Sequence, residues 1–227
     1  MEQIKINDRL LTAIPFVREG MRFCDVGTDH AYLPIYLYIE GKIASAVAAD
    51  INRGPLEKAD ENISKYGLSK EIKTVLCDGL SKISPDEIDD IAIFGMGGEL
   101  IVKIIDEAPW VKNSEKRLIF QPMTHPEKLR EYLAENGFKI IGETLSLDRG
   151  KIYQTICAEF DGERREYEDF VLHFGEFILK EKSDLLVSLL VTEKNKLIRK
   201  IDGKREGNED ASYEKSLLEN IEKYIER

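Results

Sequence analysis

Short apolar runs alternate with segments of helical period over the first two-thirds of the chain. The runs 22–26, 45–49, 72–76, 91–94 and 118–120 each end at turn-forming or polar residues: Gly27, Asp50, Cys77-Asp78-Gly79, Gly95 and Gln121-Pro122. Runs of this length, bounded in this way, predict buried strands. Between them, 31–39, 55–66, 99–106 and 126–136 carry apolar residues at helical spacing. Pro55 suits the first turn of its helix, where a missing N–H is harmless. Gly67 and Gly137 stand where left-handed C-caps are wanted. Strand–helix alternation predicts a doubly wound α/β architecture, a parallel sheet covered on both faces.

The pattern then changes twice. Segments 138–147 and 151–160 read as two strands separated by Asp148-Arg149-Gly150, a hairpin signal. A hairpin added to five parallel strands predicts a seven-stranded sheet with one antiparallel strand. From 167 to 201 there is no proline, and Phe170, Phe174, Phe177, Ile178, Leu185, Leu189 and Leu197 recur at helical spacing. Residues 203–208 read as a loop, and 212–225 as a second helix with Tyr213, Leu217, Ile221 and Tyr224 on one stripe. Two amphipathic helices joined by a polar loop predict an antiparallel helical hairpin. The expected division is an α/β domain over 1–160 and a helical hairpin over 161–227.

Composition narrows the class. The 227 residues are 42% hydrophobic and 33% charged, as in an ordinary globular protein. No apolar run approaches the ~18 residues of a membrane span, and the first residues lack the basic and apolar regions of a secretion signal. Cys24, Cys77 and Cys157 form no C-x-x-C pair and sit in apolar runs, so buried free thiols and a cytoplasmic location are expected. His125 and His173 have no cysteine or carboxylate partners at ligand spacing, and no metal is expected. A net charge of −10, taken alone, disfavours a nucleic-acid partner. Lys194, Lys196, Arg199, Lys200, Lys204 and Arg205 nevertheless crowd one stretch, offset only by Glu193 and Asp202. A local patch can dock phosphates on an acidic protein; the competing reading is a solvated helix face.

The candidate chemistry lies where the strands end, since ligands of doubly wound sheets bind outside the carboxyl ends of the strands near the switch point. There the first strand opens into Asp25-Val26-Gly27-Thr28-Asp29-His30. Gly27 permits a sharp turn and close backbone approach. A dinucleotide site wants G-x-G-x-x-G, so that a helix N-terminus cradles a pyrophosphate. Asp25 and Asp29 are poor company for a diphosphate and suit an ammonium or a sulfonium. The cofactor implied is cationic at its amino-acid end, as S-adenosylmethionine is. Asp50-Ile51 after the second strand suits the ribose hydroxyls of an adenosine, and Asp78, in Cys77-Asp78-Gly79, can accept from an adenine amino group. Gly95-Met96-Gly97-Gly98 leaves a backbone-lined cleft for a flat ring, and the amide of Gln121 can reach a substrate edge. Each of these, taken alone, also reads as turn chemistry; three acidic loops ending three successive strands are harder to read as coincidence. His30 reads equally as a base or as a hydrogen-bonded helix-start residue.

The stretch Asp25-Val26-Gly27-Thr28-Asp29-His30-Ala31-Tyr32-Leu33-Pro34, with Asp78-Gly79-Leu80, Gly95-Met96-Gly97-Gly98 and Gln121-Pro122, resembles the bacterial tRNA adenine-22 N1-methyltransferase family, and the likeness runs the whole chain. The resemblance implies a Rossmann-like, seven-stranded class I methyltransferase fold followed by a C-terminal antiparallel helical hairpin. It also implies S-adenosyl-L-methionine as cofactor, tRNA as substrate and a cytoplasmic, RNA-binding enzyme of tRNA modification. On that basis Asp25, Gly27 and Asp29 would line the methionine end, Asp50 the ribose and Asp78 the adenine. Thr28, His30, Ile51, Cys77, Gly79 and Gly95 would stand beside them, and Met96, Gly97, Gly98 and Gln121 would border the target base. The chain departs from the family pattern with Asp50 for a glutamate and Met123 for an asparagine. It also carries Asp148-Arg149-Gly150-Lys151-Ile152-Tyr153-Gln154 for a Glu-x-Gly-Lys-x-Tyr-Glu run. A small-molecule methyltransferase of the same fold and a non-catalytic cofactor-binding interaction protein are the competing readings. Nicotinamide oxidoreduction is disfavoured by Asp29 standing where a second glycine belongs.

Overall fold

The computed structural model describes residues 4–226. Its seven-stranded sheet comprises β1 (Met21–Val26), β2 (Ile43–Asp50), β3 (Ile72–Leu76), β4 (Asp90–Phe94), β5 (Arg117–Gln121), β6 (Phe138–Asp148) and β7 (Lys151–Phe160). The spatial order is β3-β2-β1-β4-β5-β7-β6. The β3-β2, β2-β1, β1-β4 and β4-β5 neighbours are parallel, and β7 runs antiparallel to both β5 and β6. The strand order therefore reverses between β1 and β4, which puts the switch-point crevice above these two strands.

The helices are α1 (Asp8–Leu11), α2 (Tyr32–Ile39), α3 (Arg53–Lys65), α4 (Gly98–Asp106), α5 (Pro126–Glu135), α6 (Asp169–Phe174), α7 (Glu176–Glu181), α8 (Asp184–Glu206) and α9 (Ser212–Ile225). The sheet's two faces bury separate cores. Cys24, Val26, Ile91 and Ile93 face one, with α4 and α5; Phe23, Ala92 and Ile119 face the other, with α1, α2 and α3. Alternate residues of one strand pointing to opposite cores is the reason these strands read as continuous apolar runs. Gly67 and Gly137 take φ of +72° and +79° after α3 and α5, as expected of left-handed caps.

Beyond β7 the structure corrects the sequence-based expectation. The single helix expected over 167–201 is three helices, broken at Gly175 (φ +82°) and Lys182 (φ +54°), and α8 continues through the stretch expected to be a loop as far as Glu206. The cause of the first break is tertiary. Arg130, 1% exposed, donates to Glu143 Oε1 at 2.7 Å, to Gln154 Oε1 at 2.7 Å and to the Leu172 carbonyl at 2.8 Å. The other carboxylate oxygen of Glu143 accepts the Phe177 N–H at 3.1 Å. A side chain at position 175 would overlap that carboxylate, so the chain passes it as glycine and restarts its helix on it. Helices α8 and α9 then pack as a hairpin, in a third core that also takes Leu145 and Ile152 from the β6–β7 hairpin.

Candidate functional site

The carboxyl ends of β1–β4 open onto a cavity of about 670 Å³, inside the ~300–1,000 Å³ range of small-molecule sites. One wall is acidic: Asp25, Asp29, Asp50 and Asp78 line it, with Gly27, Ile51, Cys77 and Gly79 between them. Their loops are tied together. The Gly27 and Thr28 N–H groups donate to the Ala49 carbonyl at 2.8 and 2.9 Å, and the Cys77 N–H donates to the Asp50 carbonyl at 3.0 Å. The four carboxylates thus sit on three loops held in register.

Asp25 is the unusual member. It is 6% exposed and accepts the Thr28 hydroxyl at 2.6 Å. Burial pushes its carboxyl up to about 6, with the Thr28 hydrogen bond and the Arg9 charge pulling the other way. A buried carboxylate short of positive charge favours a cationic ligand over an anionic one. Asp29, by contrast, is three-quarters exposed, and Asp50 accepts the Asn52 N–H at 2.7 Å. Gly27 is needed for its φ of +75°, and the Met96 methyl packs against it.

Not every residue singled out from the sequence reaches the cavity. Gly95 and Met96 line it, whereas Thr28 is buried behind it as the partner of Asp25. His30 stands outside, with Nε2 3.1 Å from Asp29 and its ring stacked on Tyr32. His30 and Ala31 both hold left-handed φ, +61° and +57°, strain of order 1 kcal/mol each, and the Asn62 amide donates to the His30 carbonyl at 2.9 Å across that turn. Gly97 and Gly98 join two loops instead of bordering the cavity. The Gly98 N–H donates to the Thr124 carbonyl and the Met123 N–H to the Met96 carbonyl, both at 2.8 Å, and a Cβ at Gly98 would overlap the His125 carbonyl oxygen.

Gln121 is a correction. It is fully buried and its amide faces inward. Oε1 accepts Arg9 Nη1 at 3.2 Å, while Nε2 donates to the Arg9 carbonyl, Thr12 Oγ1 and Thr155 Oγ1 at 2.9–3.2 Å. With each polar atom engaged, it holds Arg9 and has no group free for a substrate edge. Arg9 itself, on α1, was not foreseen, nor were Asn7, Leu10, Arg149 and Tyr153, which line the cavity with Met123 and Asp148. The available signal was the helix start at Asn7, whose side chain caps α1 by accepting the Leu10 N–H at 3.1 Å.

The basic stretch on α8 is largely neutralised. Lys194 pairs with Glu222 at 2.8 Å, Lys196 with Glu193 at 2.7 Å, and Lys200 and Lys204 both with Glu214, at 2.9 and 2.7 Å. Among the described residues, Arg199 and Arg205 have no such partner, no cluster of His, Cys, Asp and Glu could hold a metal ion, and no helix is long and apolar enough to cross a membrane. All three cysteines are buried and free.

Known proteins resemble this chain in sequence and fold. A methyltransferase-domain family profile matches residues 6–156. The tRNA (adenine(22)-N(1))-methyltransferase of Bacillus subtilis (strain 168) is 34% identical over 187 residues, 81% of this chain and 79% of that one. The crystal structure of Streptococcus pneumoniae Sp1610 in complex with S-adenosyl-L-methionine superposes with a TM-score of 0.87 at 31% identity, covering 97% of this chain and all of that one. TrmK of M. capricolum in complex with S-adenosyl-homocysteine superposes at 0.82 with 27% identity, over 97% and 98% of the two chains. The chain belongs to the tRNA (adenine(22)-N(1))-methyltransferase family.

Proposed function

We propose that this protein transfers the methyl group of S-adenosyl-L-methionine to N1 of adenine 22 in tRNA, and that it does so in the cytoplasm. The observation that carries the reading is the acidic wall, above all buried Asp25 with its carboxyl pushed up to about 6. That donor set fits a ligand bearing positive charge and repels a diphosphate. Asp25 and Asp29 would hold the amino-acid end, Asp50 the ribose hydroxyls and Asp78 the adenine amino group, with Gly27, Gly79 and Gly95 giving backbone access. When bound, the cofactor supplies a methyl group on a sulfonium.

The protein's own task is positioning. Adenine N1 carries an in-plane lone pair, so no base need remove a proton before attack. The protein must hold N1 in line at near-attack distance, ~3–3.5 Å, and receive a base taken out of its stack at a cost of a few kcal/mol. Asp148 is the carboxylate on the acceptor side of the cavity, placed to balance the positive charge that develops on a methylated ring. Docking of tRNA along α8 would draw on Lys194, Lys196, Arg199, Lys200, Lys204 and Arg205. Arg199 and Arg205 are the stronger candidates, because the four lysines already face glutamates.

The test is to incubate the protein with labelled cofactor and unmodified tRNA transcripts and map the modified nucleoside. N1-methyladenosine at position 22 is the expected product. Methylation of a small molecule without RNA, or cofactor binding with no turnover on any tRNA, would replace the reading with one of its competitors.

A further inference from the structure

We propose that the tip of the β6–β7 hairpin is the acceptor-side jaw of the cavity: Tyr153 receives the face of the target base, and Arg149 and Lys151 take the phosphates beside it. The inference rests on the methyltransferase reading and adds the element that grips the RNA.

Four observations place it there. First, Arg149 and Tyr153 line the same cavity as Asp25, from the side opposite the carboxylates. Second, the Tyr153 ring is flanked by cations, with Arg9 Cζ 5.7 Å and Lys151 Nζ 5.3 Å from its centroid. A half-buried aromatic ring set among cations is the combination that binds unstacked bases and their backbone. Third, Arg149 and Lys151 have no carboxylate partner among the described residues, whereas four of the six cations on α8 do. Unpaired positive charge is therefore present at the cavity mouth, next to Asp148, as well as at Arg199 and Arg205 of α8. Fourth, the tip is a tight turn. Arg149 and Gly150 both hold positive φ, +48° and +77°, between the paired residues Asp148 and Lys151, the form of a tight two-residue hairpin turn.

Strand alternation explains how one hairpin serves two regions. Ile152 joins the core of the C-terminal helices, and its neighbour Tyr153 points the other way, into the cavity. Ser146, paired with Tyr153 across the strands, has a buried hydroxyl with no hydrogen-bond partner among the described residues, so polar capacity is left open on that face.

The experiment compares the full-length protein with Tyr153→Ala, Tyr153→Phe and the double variant Arg149→Ala/Lys151→Ala. It reads S-adenosyl-homocysteine affinity, melting temperature, tRNA Kd at several salt concentrations, and kcat and KM on unmodified tRNA. Tyr153→Ala should lower kcat/KM for tRNA by about 10–100-fold, the range of one base–aromatic stack removed. Tyr153→Phe should stay within about 3-fold, and both should keep cofactor affinity and melting temperature. The double variant should weaken tRNA binding and flatten its salt slope by about two, one for each phosphate that is no longer neutralised. An active wild type whose Tyr153→Ala variant keeps its kcat/KM, or loses cofactor affinity in step with it, overturns the jaw and leaves the activity standing. A wild type without turnover on tRNA overturns the activity, and the jaw is then judged on tRNA Kd alone; equal Kd values for wild type and variants, or no binding by either, overturn it too.

Discussion

The two walls of the cavity carry opposite chemistry. Asp25, Asp29, Asp50 and Asp78 come from successive loops of the β1–β3 half, while Arg9, Arg149 and Tyr153 come from α1 and the β6–β7 hairpin. The acidic wall is built on a parallel sheet and fixed by backbone hydrogen bonds to Ala49 and Asp50. The cationic wall is held by side chains, with Gln121 gripping Arg9 from beneath. A small cationic cofactor and a large polyanion can then each face a wall of mainly opposite charge in one cavity, with Asp148 the one carboxylate among the described lining residues on the hairpin side. The difference predicts that the two walls can be damaged separately, except where they are joined.

Between them, Gly98 ties the loop after β4 to the loop after β5, and the largest effect is expected there. An added methyl group would overlap the His125 carbonyl oxygen, and backbone on both sides leaves no flexible side chain to yield. Gly98→Ala should cost about 3 kcal/mol, a fall in melting temperature of roughly 6–12 °C for a chain of this size, and should impair both walls together. Thermal unfolding with parallel cofactor and tRNA binding checks this; a melting temperature within about 2 °C of wild type would mean that the loops separate freely and that the walls are not coupled here.

Asp25→Asn should split affinity from stability. Losing the charge of a buried carboxylate that faces a cation should weaken cofactor binding by about 10–100-fold. The folded protein without cofactor should become more stable at pH 7, by up to about 3 kcal/mol, because ionising Asp25 costs free energy only in the native state. The sign follows from a folded pKa of about 6 above the ordinary 3.8: this penalty is absent below about pH 4, grows to about pH 6 and is constant above. Cofactor affinity should accordingly fall as pH drops through about 6, and the variant should lose that dependence. Calorimetric titration from pH 5 to 8 measures it, and a flat wild-type profile would remove Asp25 from the cationic end of the site.

The acidic wall was legible in the sequence because its carboxylates stand in or just after the ends of apolar runs that read as buried strands. The opposite wall was not, and the reasons differ by residue. Gln121 ends a strand buried on both faces, so alternation gave no hint that its amide points inward to Thr12 and Thr155. Arg9 sits on a four-residue helix whose place depends on a return across the sheet from 112 positions away. The Asp148-Arg149-Gly150 turn was legible as a hairpin, yet that it lines one cavity with Asp25, from strands three and four places away in the sheet, is not encoded locally. In the C-terminal helices the apolar stripe was visible and its breaks were not. The break at Gly175 exists because the Glu143 carboxylate occupies the space beside it, and no local pattern encodes that.

Gln121→Met tests the cationic wall by its support. Methionine keeps the volume and removes the acceptor for Arg9 Nη1 and the donors to the Arg9 carbonyl and Thr155. Arg9 should lose its fixed position, and kcat/KM for tRNA should fall about 10-fold, consistent with loss of one or two buried hydrogen bonds. Cofactor affinity should stay within about 3-fold. The drop should appear in kcat more than in KM, because a mispositioned base still binds. Equal losses in cofactor and tRNA binding would show that Gln121 only stabilises the sheet.

The smallest effects are expected on α8, where neighbouring cations should behave in opposite ways. Glu214 is buried between Lys200 and Lys204, and the Lys204 hydrogen bond holds its carboxyl down to about 2. Its pairing therefore stabilises the fold fully above about pH 4.5 and is lost as pH falls towards 2. Lys204→Met should lower the melting temperature by roughly 2–4 °C at pH 7, and by less at pH 3, with the salt slope of tRNA binding little changed. Arg205, one residue on, has no carboxylate partner among the described residues, so Arg205→Ala should leave melting unchanged and flatten the salt slope by about one if phosphate is bound there. The same response from both variants would mean that α8 presents a uniform basic surface and that its ion pairs yield to RNA. The hairpin tip would then no longer differ from the α8 lysines in having its positive charge available.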